Sequence, residues 1–202
     1  MEAELWEMVM DAYLRTSDPE LKAQLRAQID EIFDGAVLKY GEDWTNNPFN
    51  DDIMWWAMAS ARAYQITGEA RYLDKAKYYF DFVYDTQWDD AFANGGLWWL
   101  NSEHVTKNAC INFPAAEAAV FLYEITEDSH YLEAATRIYR WGKTMLTDGN
   151  GKVFDGSNRI ADPYRMPRIT IRGRLSVPPP CCIGSPATRC IWRMPSRPPN
   201  LR

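Results

Sequence analysis

At 202 residues, 47% hydrophobic and 25% charged, the chain has the length and composition of one globular domain rather than of a disordered protein. A net charge of -6 offers nothing to nucleic acid or to an anionic membrane, and no uninterrupted apolar run is long enough to span a bilayer. Met1 leads directly into the acidic helical run Glu2, Glu4, Glu7, so the reading expects no signal peptide in this chain.

Helical periodicity begins at once. Leu5, Met8, Val9, Ala12 and Tyr13 recur at helix spacing over 2–16. Asp18-Pro19 then signals a fresh helix over 19–38, carrying Leu21, Leu25, Ile29, Ile32 and Phe33. The same unit returns twice. Tyr13, Tyr64 and Tyr123 each open a Tyr-x-x-Thr followed by a polar turn, 51 and then 59 residues apart. Each unit reads as an αα-hairpin, giving further helices at 50–66, 69–84, 108–126 and 129–146. Gly96-Leu97-Trp98-Trp99-Leu100 is expected to be a short extended piece in the long loop after the fourth helix. The fold class is therefore all-α, with repeated hairpins that must stack or close into a toroid to bury their inner faces.

Composition changes abruptly at Pro163. From there to Arg202 the chain holds eight Arg, no acidic residue, nine of twelve prolines and three of four cysteines, leaving 14 basic residues against all 28 acidic ones in 1–162. Two domains of unequal standing are expected: 1–162 as the folded unit, and 163–202 as an Arg/Pro/Cys-rich tail not native to it, such as a frameshifted end. Cys181, Cys182 and Cys190 lack zinc-site spacing.

The chemistry concentrates in two loops. Asn50-Asp51-Asp52 with Trp55-Trp56 sits at the start of the third helix, where Asn50 or Asp51 suits an N-cap and the dipole favours carboxylates. Helix starts are often acidic, but two consecutive Asp exceed what one cap requires. Adjacent carboxyls cannot ionise independently, and a pair split in pKa is what glycoside cleavage needs. With Cα atoms ~3.8 Å apart, the pair fits the short spacing of retaining enzymes better than the long one of inverting enzymes. The second loop, Trp88-Asp89-Asp90 through Gly95-Gly96 to Trp98-Trp99, offers aromatic faces for sugar rings and glycines for close backbone approach, or simply a packed turn. Lys107, Asn108 and Asn112 open the fifth helix with Pro114 in its first turn; Asn112 reads best as a cap. With only His104 and His130, and no phosphate loop or aspartate-rich magnesium motif, neither metal nor cofactor is expected.

These segments, together with Ala3-Glu4-Leu5-Trp6-Glu7-Met8-Val9, Lys107-Asn108-Ala109 and Phe154-Asp155-Gly156, make the chain resemble glycoside hydrolase family 76, the α-1,6-mannanases. The resemblance implies an (α/α)6 barrel, of which this chain supplies about half, and retaining hydrolysis of α-1,6-linked mannan. It implies Asp51 as nucleophile and Asp52 as acid/base. Asn50, Trp55, Trp56, Trp88, Asp89, Asp90, Gly95, Gly96, Trp98, Trp99, Lys107 and Asn108 would then meet substrate. It also implies an extracellular or cell-surface enzyme, although a cytoplasmic location stays open for a chain with no signal peptide. The sequence starts inside the family's first helix, and the familiar pattern stops after Ile160, so the chain is expected to be an inactive fragment with an open apolar flank. A non-catalytic helical-repeat module binding glycan or protein is the alternative, and transglycosylation a weaker one.

Overall fold

A computed structural model describes residues 2–159; the tail discussed above lies outside them. Six helices form three hairpins: α1 (Glu2–Arg15) with α2 (Pro19–Tyr40), α3 (Asn50–Thr67) with α4 (Ala70–Gln87), and α5 (Ala109–Thr126) with α6 (Ser129–Leu146). Two three-residue strands, β1 (Thr106–Asn108) and β2 (Gly156–Asn158), pair antiparallel with Lys107 opposite Ser157. None of the described helices is long and apolar enough to cross a membrane.

The repeated threonine has a physical reason. Thr16, Thr67 and Thr126 each accept, through Oγ1, the backbone N–H two residues on (Asp18, Glu69 and Asp128; 3.2, 3.1 and 3.2 Å), closing the same side-chain turn three times. Asp18 then caps α2 by accepting from the N–H groups of Glu20 and Leu21, and Asp128 caps α6 by accepting from His130. At Gly68 and Glu127 the chain leaves the helix in the left-handed region, each N–H returning to the carbonyl of the repeat tyrosine, Tyr64 or Tyr123.

The odd helices form an inner row, α1 against α3 and α3 against α5, with each even helix packed outside its hairpin partner. Ala57, Ala59, Ala61 and Ala63 on α3, and Ala115, Ala116, Ala118 and Ala119 on α5, are buried small residues that let the inner helices approach closely. Trp6 anchors the first two hairpins. It is fully buried among Phe33, Trp56 and Tyr72, and its indole N–H donates to the Ile29 carbonyl at 2.8 Å. Arg62 ties α3 to α1 by donating to Glu7 and Asp11.

The structure corrects the expected inner stripe of α1. The buried residues are Ala3, Trp6, Glu7 and Met10, whereas Leu5 and Met8 are 54% and 67% exposed. This helix has two apolar faces, and docking of the indole decides which one turns inward.

All chemistry-bearing loops meet at one mouth, formed by the N-termini of α3 and α5 and the C-termini of α4 and α6. Bridges Phe49–Leu100, Trp88–Leu97 and Thr147–Val153, with β1–β2, stitch these ends together. The expected extended piece at 96–100 is real, but as isolated bridges rather than a strand.

Candidate active site

Asp51 and Asp52 occupy the first turn of α3. The N-cap is Phe49, whose side chain caps nothing, so neither Asn50 nor Asp51 takes the capping role expected of it. Asn50 is instead fully buried. Its amide nitrogen donates to Gln87 Oε1 (3.2 Å) and to the Trp98 carbonyl (2.9 Å), and its backbone N–H donates to the Trp99 carbonyl. Asn50 thus bolts the helix start to the second loop.

Neighbours on a helix diverge by about 100°, so the two carboxyls enter different surroundings. Asp52 is exposed and lines a cleft of about 460 Å³ with Trp44, Trp55, Trp56, Tyr40 and Asn47. The Asn47 amide donates to it at 3.3 Å. Asp51 is half-buried and faces Trp99 and Cys110 on the α5 side. Burial pushes its pKa above the ordinary aspartate value. The Cys110 thiol and the Trp99 indole pull it the other way, and the charge of Asp52 adds to the rise. Neither donor closes a full bond to the inner oxygen, however: Asp51 Oδ1 and Trp99 Nε1 are both buried without a partner at bonding geometry. Asn50 Oδ1 and Asn108 Oδ1 are unsatisfied as well. Among the described residues this mouth therefore holds four of six such atoms, and unpaired buried polar groups gather where function keeps them.

The second loop is built around Lys107. Its side chain is 0% exposed, and Nζ donates to the carbonyls of Asp89, Phe92 and Gly95 and to the Asp89 carboxylate at 3.2 Å. Burial lowers the lysine pKa by more than the pairing with Asp89 raises it, while the four oxygens around Nζ are the surroundings an ammonium requires. Burial works against the Asp89 carboxylate too. The N–H groups of Ala91 and Phe92 and the Lys107 ammonium outweigh it, and its pKa falls below the usual range. Asp90 is exposed, accepting from Arg137 (2.6 Å) and from the Trp88 indole (2.9 Å).

Gly95 and Gly96 sit at φ +129° and +93°, and a Cβ on Gly96 would lie 2.5 Å from the Trp141 ring. They are glycine because an indole packs against them. Gly96→Ala is expected to destabilise the fold by about 2–3 kcal/mol in urea unfolding, through overpacking and backbone strain together; a change below ~0.5 kcal/mol would show that the ring is free to move.

Trp98 is 2% exposed, stacks on Phe92 and His104 (5.6 and 5.2 Å between centroids) and has Lys107 Nζ over its ring, so no face is left open. Trp55 and Trp56 do line the open cleft, although Trp56 also packs on Trp44 and Trp6. Trp88 lines a separate cleft of about 570 Å³ beside α6, one face covered by the Arg137 guanidinium at 4.4 Å. Asn108 is the buried N-cap residue of α5, and its side chain makes no capping bond.

Asn112, expected as a cap, clamps the second loop by accepting from the Leu97 N–H and donating to the Leu97 and Asn108 carbonyls. Pro114 lies inside α5, past its first turn. Sequence reasoning missed Cys110 and Asn47. The available signal was position: Cys110 falls in the first turn of a helix opening on the same mouth, and Asn47 in the Asn-Pro turn before α3.

The family model described as glycosyl hydrolase family 76 matches residues 1–165. The chain belongs to glycosyl hydrolase family 76. An inactive variant of an α-1,6-mannanase from Salegentibacter sp., carrying asparagine at two consecutive aspartate positions and solved with α-1,6-mannotriose, superposes with a TM-score of 0.70 at 29% identity, covering 81% of this chain and 46% of that one. A Listeria innocua protein gives 0.71 at 31% identity, covering 80% and 45%. A mannan endo-1,6-α-mannosidase of Eremothecium gossypii is 29% identical over 151 residues, 64% of this chain and 33% of that protein. The family 76 chain described here thus spans less than half the length of these relatives. Its helical hairpins have the architecture of their α/α barrels.

Proposed function

We propose that this chain carries a family 76 glycosidase site that cleaves α-1,6-mannosidic linkages with retention, Asp51 acting as nucleophile and Asp52 as acid/base. One observation carries the reading. Of the two Asp-Asp pairs, Asp89 and Asp90 are engaged by Lys107 and Arg137, while Asp51 and Asp52 have no cationic partner among the ion pairs of the described residues. They stand at the positive end of a helix, one half-buried and one open to an aromatic cleft. The inactive mannanase variant with asparagine at two consecutive aspartates supports a catalytic role for an Asp-Asp pair.

In the first step the Asp51 carboxylate attacks the anomeric carbon as Asp52 gives its proton to the departing glycosidic oxygen, breaking the C1–O bond and leaving a mannosyl ester. Asp52, now a carboxylate, takes a proton from water. That water attacks C1 and releases Asp51, restoring the α-configuration. Trp55 and Trp56 offer apolar faces beside Asp52 for the sugar C–H groups. Lys107, Asn50, Asn112 and the glycine pair hold the loop that presents Trp99. A mannan substrate fits an extracellular or cell-surface place of action.

Proton NMR of a digest of α-1,6-mannan is expected to show α-reducing ends first; cleavage giving the β-anomer first, or selective cleavage of another linkage, would overturn the proposal. The non-catalytic alternative is a helical-repeat module that holds glycan against the aromatic cleft of Trp44, Trp55 and Trp56. It predicts saturable mannotriose binding with no turnover.

A further inference from the structure

Resting on that reading, we propose that Cys110 is a positioning residue for Asp51, its thiol donating to the buried carboxylate oxygen while the Trp99 indole N–H approaches from the second loop. The geometry behind this is a set of groups that need one another. Asp51 Oδ1 is an acceptor shut off from water with no partner, and Trp99 Nε1 is a donor in the same condition. The thiol of Cys110, the second residue of α5, is turned to the same carboxyl across the α3–α5 contact and forms no disulfide. A buried acceptor left unpaired is costly, so a small rotation that brings these donors onto it is favoured.

Among the described residues, two charged groups besides Asp51 itself act on this cluster. Asp52 faces Asp51 from the same helix, and Asp155, just before β2, faces Cys110. All are acidic. Burial, and then the charge of Asp51, push the Cys110 thiol far above its usual pKa, so it stays protonated and keeps a proton to donate. Burial alone would favour a protonated Asp51, which is useless as a nucleophile. A donor on the inner oxygen favours the carboxylate and leaves the outer oxygen free for the anomeric carbon. The device is thus a thiol that resists ionisation and so helps its neighbour to ionise.

The test is the infrared S–H stretching band of the full chain, assigned to Cys110 by its disappearance in Cys110→Ala. In the wild type at neutral pH the band is expected at the low frequency of a donating thiol, and in Asp51→Ala, which removes the acceptor, it should move up towards the free position. An identical band in both proteins would overturn the proposal, whatever the protein does to mannan. The kinetic arm separates positioning from mere packing. Cys110→Ala should move the acidic limb of kcat/KM upward by about half a pH unit, because losing a weak donor raises the Asp51 pKa, and Cys110→Ser should restore it. A fall in kcat with an unmoved limb would reduce Cys110 to packing and would equally overturn the proposal.

Discussion

Lys107→Ala is expected to cost about 3–5 kcal/mol in equilibrium unfolding, the range for removing one partner of a buried ion pair. The substitution strips the donor from the carbonyls of Asp89, Phe92 and Gly95 and leaves the Asp89 carboxylate facing a void. It also removes the ammonium from beneath the Trp98 ring, 4.4 Å from its centroid. Lys107→Met separates these contributions, since it keeps the stem and loses the charge. Its recovery should be small, because the dominant loss is of hydrogen bonds to three main-chain oxygens. The loop would then no longer hold Trp99 against α3. If urea unfolding places Lys107→Ala within ~0.5 kcal/mol of wild type, the lysine does not organise this loop and belongs back among residues free to meet substrate.

Asp51→Asn and Asp52→Asn are each expected to abolish most turnover on α-1,6-mannan, but in different ways. Losing the acid/base should cost a factor of about 10²–10⁴ on a natural linkage, the usual worth of proton transfer to a poor leaving group. With an aryl α-mannoside, whose leaving group departs unaided, Asp52→Asn should recover its first step, and azide should rescue the second. Asp51→Asn should recover neither, because no ester can form. Asp89→Asn and Asp90→Asn serve as controls. They weaken the pairings to Lys107 and Arg137 and so should lower stability more than turnover. Were Asp89→Asn or Asp90→Asn the variant that kills activity while Asp51→Asn retains it, the reading would have chosen the wrong pair.

The helices were legible because local chemistry announces the hairpins. A threonine turn marks each hairpin bend, an aspartate caps α2 and α6, and a period of 3.6 marks the helices between; the expected ends fall within three residues of those observed, and the largest error is α4, which runs on to Gln87. Strands β1 and β2 carry no such local announcement. Each is three residues long, and its partner lies some fifty residues away.

The site divides in the same way. The acid pair, its place at a helix start and its tryptophans follow from adjacent residues. Which surrounding residues meet a ligand and which hold the loop does not. Lys107 reads as a substrate cation until three carbonyls 12 to 18 residues away claim it, and Gly96 reads as a ligand approach until Trp141 of α6 fills the space. Asn50 and Trp98 are buried for the same reason: contacts between hairpins decide burial at this mouth.

The central claim, that Asp51 bonds covalently to the sugar, is tested most directly by mass spectrometry of the protein after incubation with an activated fluorosugar of mannose. The account predicts one mannosyl ester, mapped to the peptide containing Asp51 and absent from Asp51→Asn. An ester on Asp89 or Asp90, or mannan hydrolysis that proceeds with inversion and no adduct, would contradict it.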